Sequence, residues 1–128
     1  MEAEMKESIL VGLGGFMGAN VRYFVSTFVA KNLDPALPWG TLAVNVTGSF
    51  IIGMFLVWTT ERVLTDPAYR LLVAVGFCGA YTTFSSYAFE TVRLMEQGHF
   101  LLAIGNFLTN NLLAVLGALA GITLARSI

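Results

Sequence analysis

GFCGAYTTFSSYAFE, residues Gly76–Glu90, sets two glycines, two threonines and two serines inside a segment otherwise apolar enough to cross a membrane. No charged residue occurs from Leu71 to Phe89, a run of 19 positions, close to the ~20 that a bilayer-spanning helix needs. The cluster at its centre is a poor place for unbroken helix. In lipid, backbone that leaves helical geometry must find partners in protein, water or an ion. A polar interruption at membrane depth is therefore costly unless it serves a site, and a broken third helix is the expectation.

The rest of the chain repeats the apolar pattern without the interruption. It is 56% apolar and 12% charged, with a mean hydropathy of +0.75, far from the roughly 25% charge of soluble domains. The charged residues cluster between four apolar runs, at about 8–30, 39–60, 69–94 and 99–124. Trp39, Trp58 and Tyr69 sit near their ends, where amphipathic rings favour the interface. The expected fold is an all-α membrane protein of four transmembrane helices, one domain over residues 1–128. Asp34–Pro38 and Asp66–Pro67 carry ordinary turn chemistry. Acidic Glu2, Glu4 and Glu7 precede the first apolar run, which argues against a cleaved signal segment.

Little supports enzyme chemistry. The single cysteine, Cys78, excludes an intramolecular disulfide and reads as a small packing residue. The single histidine, His99, lies at a span edge. No Ser-His-Asp set, paired carboxylates or phosphate loop can be assembled. Seven basic residues stand against eight acidic ones, and no nucleic-acid partner is expected.

Four spans put both termini and the 61–68 loop on one side, with Lys6, Arg62, Arg70 and Arg126. The other side holds Lys31 and Arg93, with Arg22 inside the first span. This is a slight bias by the positive-inside rule. Near-balance permits insertion in either direction and an antiparallel dimer of identical chains. Four helices also leave little room for a water-filled path, so a conduction route belongs between subunits.

Polar residues recur at helical spacing. Thr41, Asn45, Gly48 and Ser49 share one face of the second span. Small residues there let helices approach, and Asn45 can either bond across the contact or offer its amide to a passing anion. Asn106 and Asn110 share a face of the fourth span with Gly117 and Gly121, whereas Asn111 points about a hundred degrees away. Arg22 suits a snorkelling, capping or functional role, with Glu90 as its partner or as an entrance residue. Phe84 and Tyr87, three apart, share a face flanked by Thr82, Thr83, Ser85 and Ser86. Two such aromatics serve either as core or as ring edges, whose positive rim replaces part of an anion's hydration beside neutral donors. Without a full positive charge an anion is held but not trapped, as conduction requires.

GANVRY at 18–23, PWGTLAVNVTG at 38–48 and GFCGAYTTFSSYAFET at 76–91 closely resemble the CrcB/Fluc family of small fluoride channels, over essentially the full length. The resemblance implies an antiparallel dual-topology homodimer with two pores, in the bacterial or archaeal plasma (inner) membrane. Such dimers passively export cytoplasmic fluoride and confer fluoride resistance. It further implies a structural sodium ion at the dimer centre, held by the backbone carbonyls of Gly79 and Thr82. On matching positions the fluoride path is Phe84, Tyr87, Asn45, Thr41, Ser85, Asn110 and Glu90, with Arg22 at the pore mouth or structural. Two departures stand out: Tyr87 where family members often carry Phe, and Asn106 and Asn110 where some carry tyrosine and serine.

A small multidrug antiporter is also a four-helix chain, but it needs a titratable carboxylate deep in the membrane. Between Ser8 and Thr60 the only acidic residue is loop Asp34. A non-conducting structural subunit would account for the glycines and asparagines but not for a polar break at Gly79–Ser86.

Overall fold

The computed structural model describes residues 1–63 and 65–128, and the regular structure among them is entirely helical. Four segments are long and apolar enough to cross a membrane: Glu2–Asn32, Trp39–Arg62, Pro67–Glu96 and Phe100–Ser127. The first starts before the apolar run expected at residue 8. Glu2 and Glu4 occupy its first turn, where carboxylates meet the positive end of the helix dipole, so the helix outruns its hydrophobic stretch. The second ends in a wider π-helical turn, Trp58–Arg62. There Glu61 accepts both Nε (3.1 Å) and Nη2 (2.9 Å) of Arg126, and Arg62 Nη2 donates to the Arg126 carbonyl.

The turns follow their sequences. Asp34 Oδ1 accepts the Ala36 amide at 2.8 Å, and Asp66 Oδ1 accepts the Ala68 amide at 2.9 Å with Pro67 leading the new helix. Gly98, at φ +78°, is the one positive-φ residue described. It lets the His99 amide fold back onto the Leu94 carbonyl at 2.8 Å, ending the third span before the fourth begins.

Two helix pairs carry most of the packing, the second with the fourth and the first with the opening half of the third. Both are glycine contacts. A Cβ on Gly53 would stand 2.6 Å from the Ala118 carbonyl oxygen, and one on Gly117 2.8 Å from that of Val46. A Cβ on Gly76 would stand 2.6 Å from the Val11 carbonyl oxygen, with Gly14 facing it. Lipid tails are as apolar as leucine, so close backbone approach is what draws such helices together. Large apolar side chains such as Phe16, Phe28, Leu101 and Leu116 lie exposed, as lipid-facing residues should.

The third span is not uniform. Pro67–Arg70 is α-helical, Leu71–Cys78 is π-helical and Gly79–Tyr81 adds an α-turn. Thr82 (φ −87°, ψ 159°) and Thr83 (φ −150°, ψ 108°) are extended, and helix resumes at Phe84–Glu96. The second helix accommodates the step because Gly48 faces it. A Cβ there would collide with the Thr82 methyl and reach 3.1 Å from the Tyr81 ring.

Candidate functional site

At the extended step the helix ladder is replaced by side chains. The Thr83 N–H, which in a continuous helix would reach the Gly79 carbonyl, donates to Asn45 Oδ1 at 2.8 Å. The Ser86 N–H, which would reach the Thr82 carbonyl, donates to Thr83 Oγ1 at 3.2 Å. Thr83 is thus the N-cap of the second half, the role a hydroxyl beside free helix amides performs best. The carbonyls of Gly79 and Thr82 are left outside the ladder. Asn45 closes the step from both sides, since its Nδ2 donates to the Thr83 carbonyl at 3.1 Å.

The fourth helix continues this seam. Asn45 Nδ2 also donates to Asn110 Oδ1 at 3.1 Å, and Asn110 Nδ2 donates to the Asn106 carbonyl (3.1 Å) and Oδ1 (2.9 Å). Asn106 Nδ2 in turn donates to Thr91 Oγ1 at 2.9 Å, whose hydroxyl donates to the Tyr87 carbonyl at 2.8 Å. Asn106 and Asn110 are 2% and 4% exposed, a burial that is affordable only with such complete pairing. In this arrangement Asn45 Nδ2 and Asn110 Nδ2 each bond two acceptors within the protein. Of the two roles open to Asn45 from sequence, bonding across the helix contact is the one seen.

The expected site residues divide between two open clefts. The larger, about 710 Å³, is lined by Arg22, Thr41, Thr83, Ser86 and Glu90. Thr41 Oγ1 donates to Glu90 Oε1 at 2.7 Å, while the buried Glu90 Oε2 has no partner among the described residues. No ion pair joins Arg22 to Glu90, although both face this cleft. The smaller, about 330 Å³, is lined by Asn45, Gly79, Thr82, Phe84, Tyr87 and Asn110. Phe84 is 75% exposed and Tyr87 6%, and their rings meet edge-to-face, centroids 5.3 Å apart at 70°. The Asn45–Thr83 pair stands between the clefts. Ser85 is exposed and lines neither cleft, its Oγ 3.4 Å from Thr83 Oγ1.

Three members of this site were not singled out from sequence. Thr83 and Ser86 were read only as flanking hydroxyls, yet they cap the second half. Asn111, set aside for pointing off the asparagine face, donates to the Tyr87 hydroxyl at 2.9 Å. Its signal was present: Tyr87 carries a phenol, and a buried phenol needs a partner.

Known proteins are similar to this chain along most of its length. The chain is 54% identical to the fluoride-specific ion channel FluC of Koribacter versatilis over 124 residues, 97% of this chain and 98% of that protein. It is 44% identical to the protein of the same name from a Sulfurihydrogenibium species, over 95% of this chain and 98% of that one. It is 46% identical to that from Magnetococcus marinus, over 92% and 96%. Residues 9–122 match the family described as CrcB-like protein, Camphor Resistance (CrcB). The chain belongs to the CrcB family.

Proposed function

We propose that this chain is a fluoride-selective passive channel that releases cytoplasmic fluoride across a bacterial or archaeal plasma membrane and so confers fluoride resistance. The observation that carries the reading is the uncharged wall of the smaller cleft. The rings of Phe84 and Tyr87, set edge-to-face, line it together with Gly79, with Thr82 of the extended step, and with the side chains of Asn45 and Asn110. Such a surface can accept a small anion stripped of part of its water without binding it too tightly to leave. Kinship with proteins named as fluoride-specific channels supplies the identity of the anion.

The path runs along Phe84, Tyr87, Asn45 and Asn110, with Ser85 next to Phe84 in the chain. Thr41 and Glu90 lie toward the larger cleft, with Arg22 at its mouth. The working unit is an antiparallel dual-topology homodimer. Supporting this are the near-equal basic residues on the two sides and the exposure of Gly79 and Phe84 in the single chain. A structural sodium ion suits the chain's oxygens. The Gly79 and Thr82 carbonyls have lost their ladder donors, and a hard cation favours oxygen ligands. When bound, the ion supplies a fixed positive charge at the dimer centre. Two copies then present four such oxygens.

The direction of flow follows from elementary chemistry. Hydrogen fluoride crosses lipid as a neutral acid and dissociates in a less acidic cytoplasm. A negative-inside potential then drives the anion out at about 2.3 kcal/mol per charge per 100 mV. No nucleotide or coupling ion is needed, but chloride leakage would dissipate that potential.

The test is efflux from liposomes loaded with potassium fluoride, with valinomycin present, followed by a fluoride electrode beside a chloride-loaded control. Fast fluoride release with negligible chloride release is expected. Phe84→Ile should slow it about tenfold or more, equivalent to ~1.4 kcal/mol of barrier, with the dimer intact. No release from folded native protein would sink the channel reading and favour a structural subunit.

A further inference from the structure

We infer that Asn111 is a positioning residue that turns the Tyr87 hydroxyl into a fluoride donor, making the pair a specificity element of this chain's path. The inference rests on the fluoride-channel reading above. The geometry decides the sense of the hydrogen bond. Asn111 Nδ2 lies 2.7 Å from the Phe107 carbonyl oxygen, and a carbonyl only accepts. The amide group facing Phe107 is therefore the NH₂. The same nitrogen lies 2.9 Å from the Tyr87 hydroxyl oxygen, so that oxygen is the acceptor.

A phenol that accepts one hydrogen bond still owns its hydrogen. No acceptor among the described residues takes it: Asn111 is the hydroxyl's one partner. Tyr87 and Asn111 both line the smaller cleft, with Phe84, Asn45 and Gly79. The competing amide donors there are already committed, since Asn45 Nδ2 and Asn110 Nδ2 each bond two acceptors within the protein. The Tyr87 O–H and the Ser49 hydroxyl are thus the side-chain hydroxyl donors on this wall left for a guest, and the Tyr87 O–H is the one that stands against Phe84 with Asn111 on its oxygen. A neutral O–H on a small anion makes a short, charge-assisted bond. An Asn111 bond to the phenol oxygen strengthens it further, because bonded donors polarise one another. Tyrosine rather than phenylalanine at this position thereby gains a function, and the off-face asparagine gains a reason.

The experiment measures initial fluoride efflux from liposomes for the native protein, Tyr87→Phe, Asn111→Leu and the double variant, at several fluoride loads. Each single change should slow efflux about tenfold, the lower end of what one hydrogen bond to a charged partner is worth. The double variant should be no slower than Tyr87→Phe, because Asn111 acts through that hydroxyl. A native rate in Tyr87→Phe overturns the assignment. So does an Asn111→Leu effect that persists undiminished in the Tyr87→Phe background, which a merely structural role would produce. Asn111 is exposed, so Asn111→Leu gives a reading even if Tyr87→Phe reconstitutes poorly, and a native rate in it overturns the assignment too. Absence of efflux from the native protein overturns both this inference and the channel reading. Native efflux with unaltered variants overturns this inference alone.

Discussion

The two halves of the third span are built from neighbouring stretches of one sequence and are held by opposite means. Leu71–Cys78 lies against the first helix through Gly76 and Gly14, where backbone meets backbone. Phe84–Glu96 packs on the fourth helix and carries Tyr87, Thr91 and Leu94 on its buried side. Its links to the rest of the chain include hydrogen bonds that the first half lacks: Asn106 to Thr91, Asn111 to Tyr87, Thr41 to Glu90. The first half is fixed by shape and the second by polar pairing. In a bilayer both devices work, because burying apolar surface gives no advantage between helices. The difference suits the halves to distinct tasks: one anchors the span and, in the function proposed above, the other offers groups to an ion.

That contrast can be broken most severely at its anchored end. Gly76→Val inserts atoms where even a Cβ would lie 2.6 Å from the Val11 carbonyl oxygen and 2.9 Å from the Gly14 Cα. Overpacking against backbone that cannot yield should cost ~3 kcal/mol or more. The expected result is loss of most monodisperse protein in detergent. Normal yield and thermal stability would mean that the glycine contact is not what fixes this half.

At the junction, Asn45→Leu removes three hydrogen bonds and strands the Thr83 N–H and carbonyl. Each stranded group costs about 1–3 kcal/mol, so melting temperature should fall while glycine packing still holds the fold. Fluoride efflux should drop about tenfold or more, a barrier change of ~1.4 kcal/mol. Full efflux in the folded variant would detach the step from conduction.

The smallest expected effect sharpens the comparison within the second half. Thr83→Ala deletes the N-cap that accepts the Ser86 amide and should cost about 1 kcal/mol. Thr83→Ser, which keeps the hydroxyl, should restore it. Thermal denaturation of the pair reads the difference. Equal stability of the two variants would show that polar pairing at the cap does not hold Phe84–Glu96.

Sequence periodicity located the asparagine seam well. Asn45 and Asn110 do meet, because each lies on a face whose other members are small residues, and small residues mark where helices touch. The same reasoning passed over Asn111. Helical spacing says only which residues share a face of their own helix, not which neighbouring side chain reaches across from another. The Arg22–Glu90 partnership was offered by charge alone. The fold puts both on one cleft but gives Glu90 to Thr41. For a similar reason the candidate residues fell into two clefts and not one list, since the Asn45–Thr83 contact closes a wall that has no signature in either strand of sequence.

What the sequence by itself determined is the medium and the count: four apolar runs of spanning length, with a polar cluster where an apolar residue would be cheaper. Those are properties of composition and spacing along the chain, and the solvent enforces them locally. What only the tertiary structure decided is which polar groups are already satisfied and which are free. Asn45 and Asn110 look like donors in sequence and have none left to give. Tyr87 looks like an aromatic wall and, with Asn111 on its oxygen, keeps a hydrogen. Hydrogen bonds are made by positions in space, and each group has only so many, so the free donor is known only once every other bond has been placed.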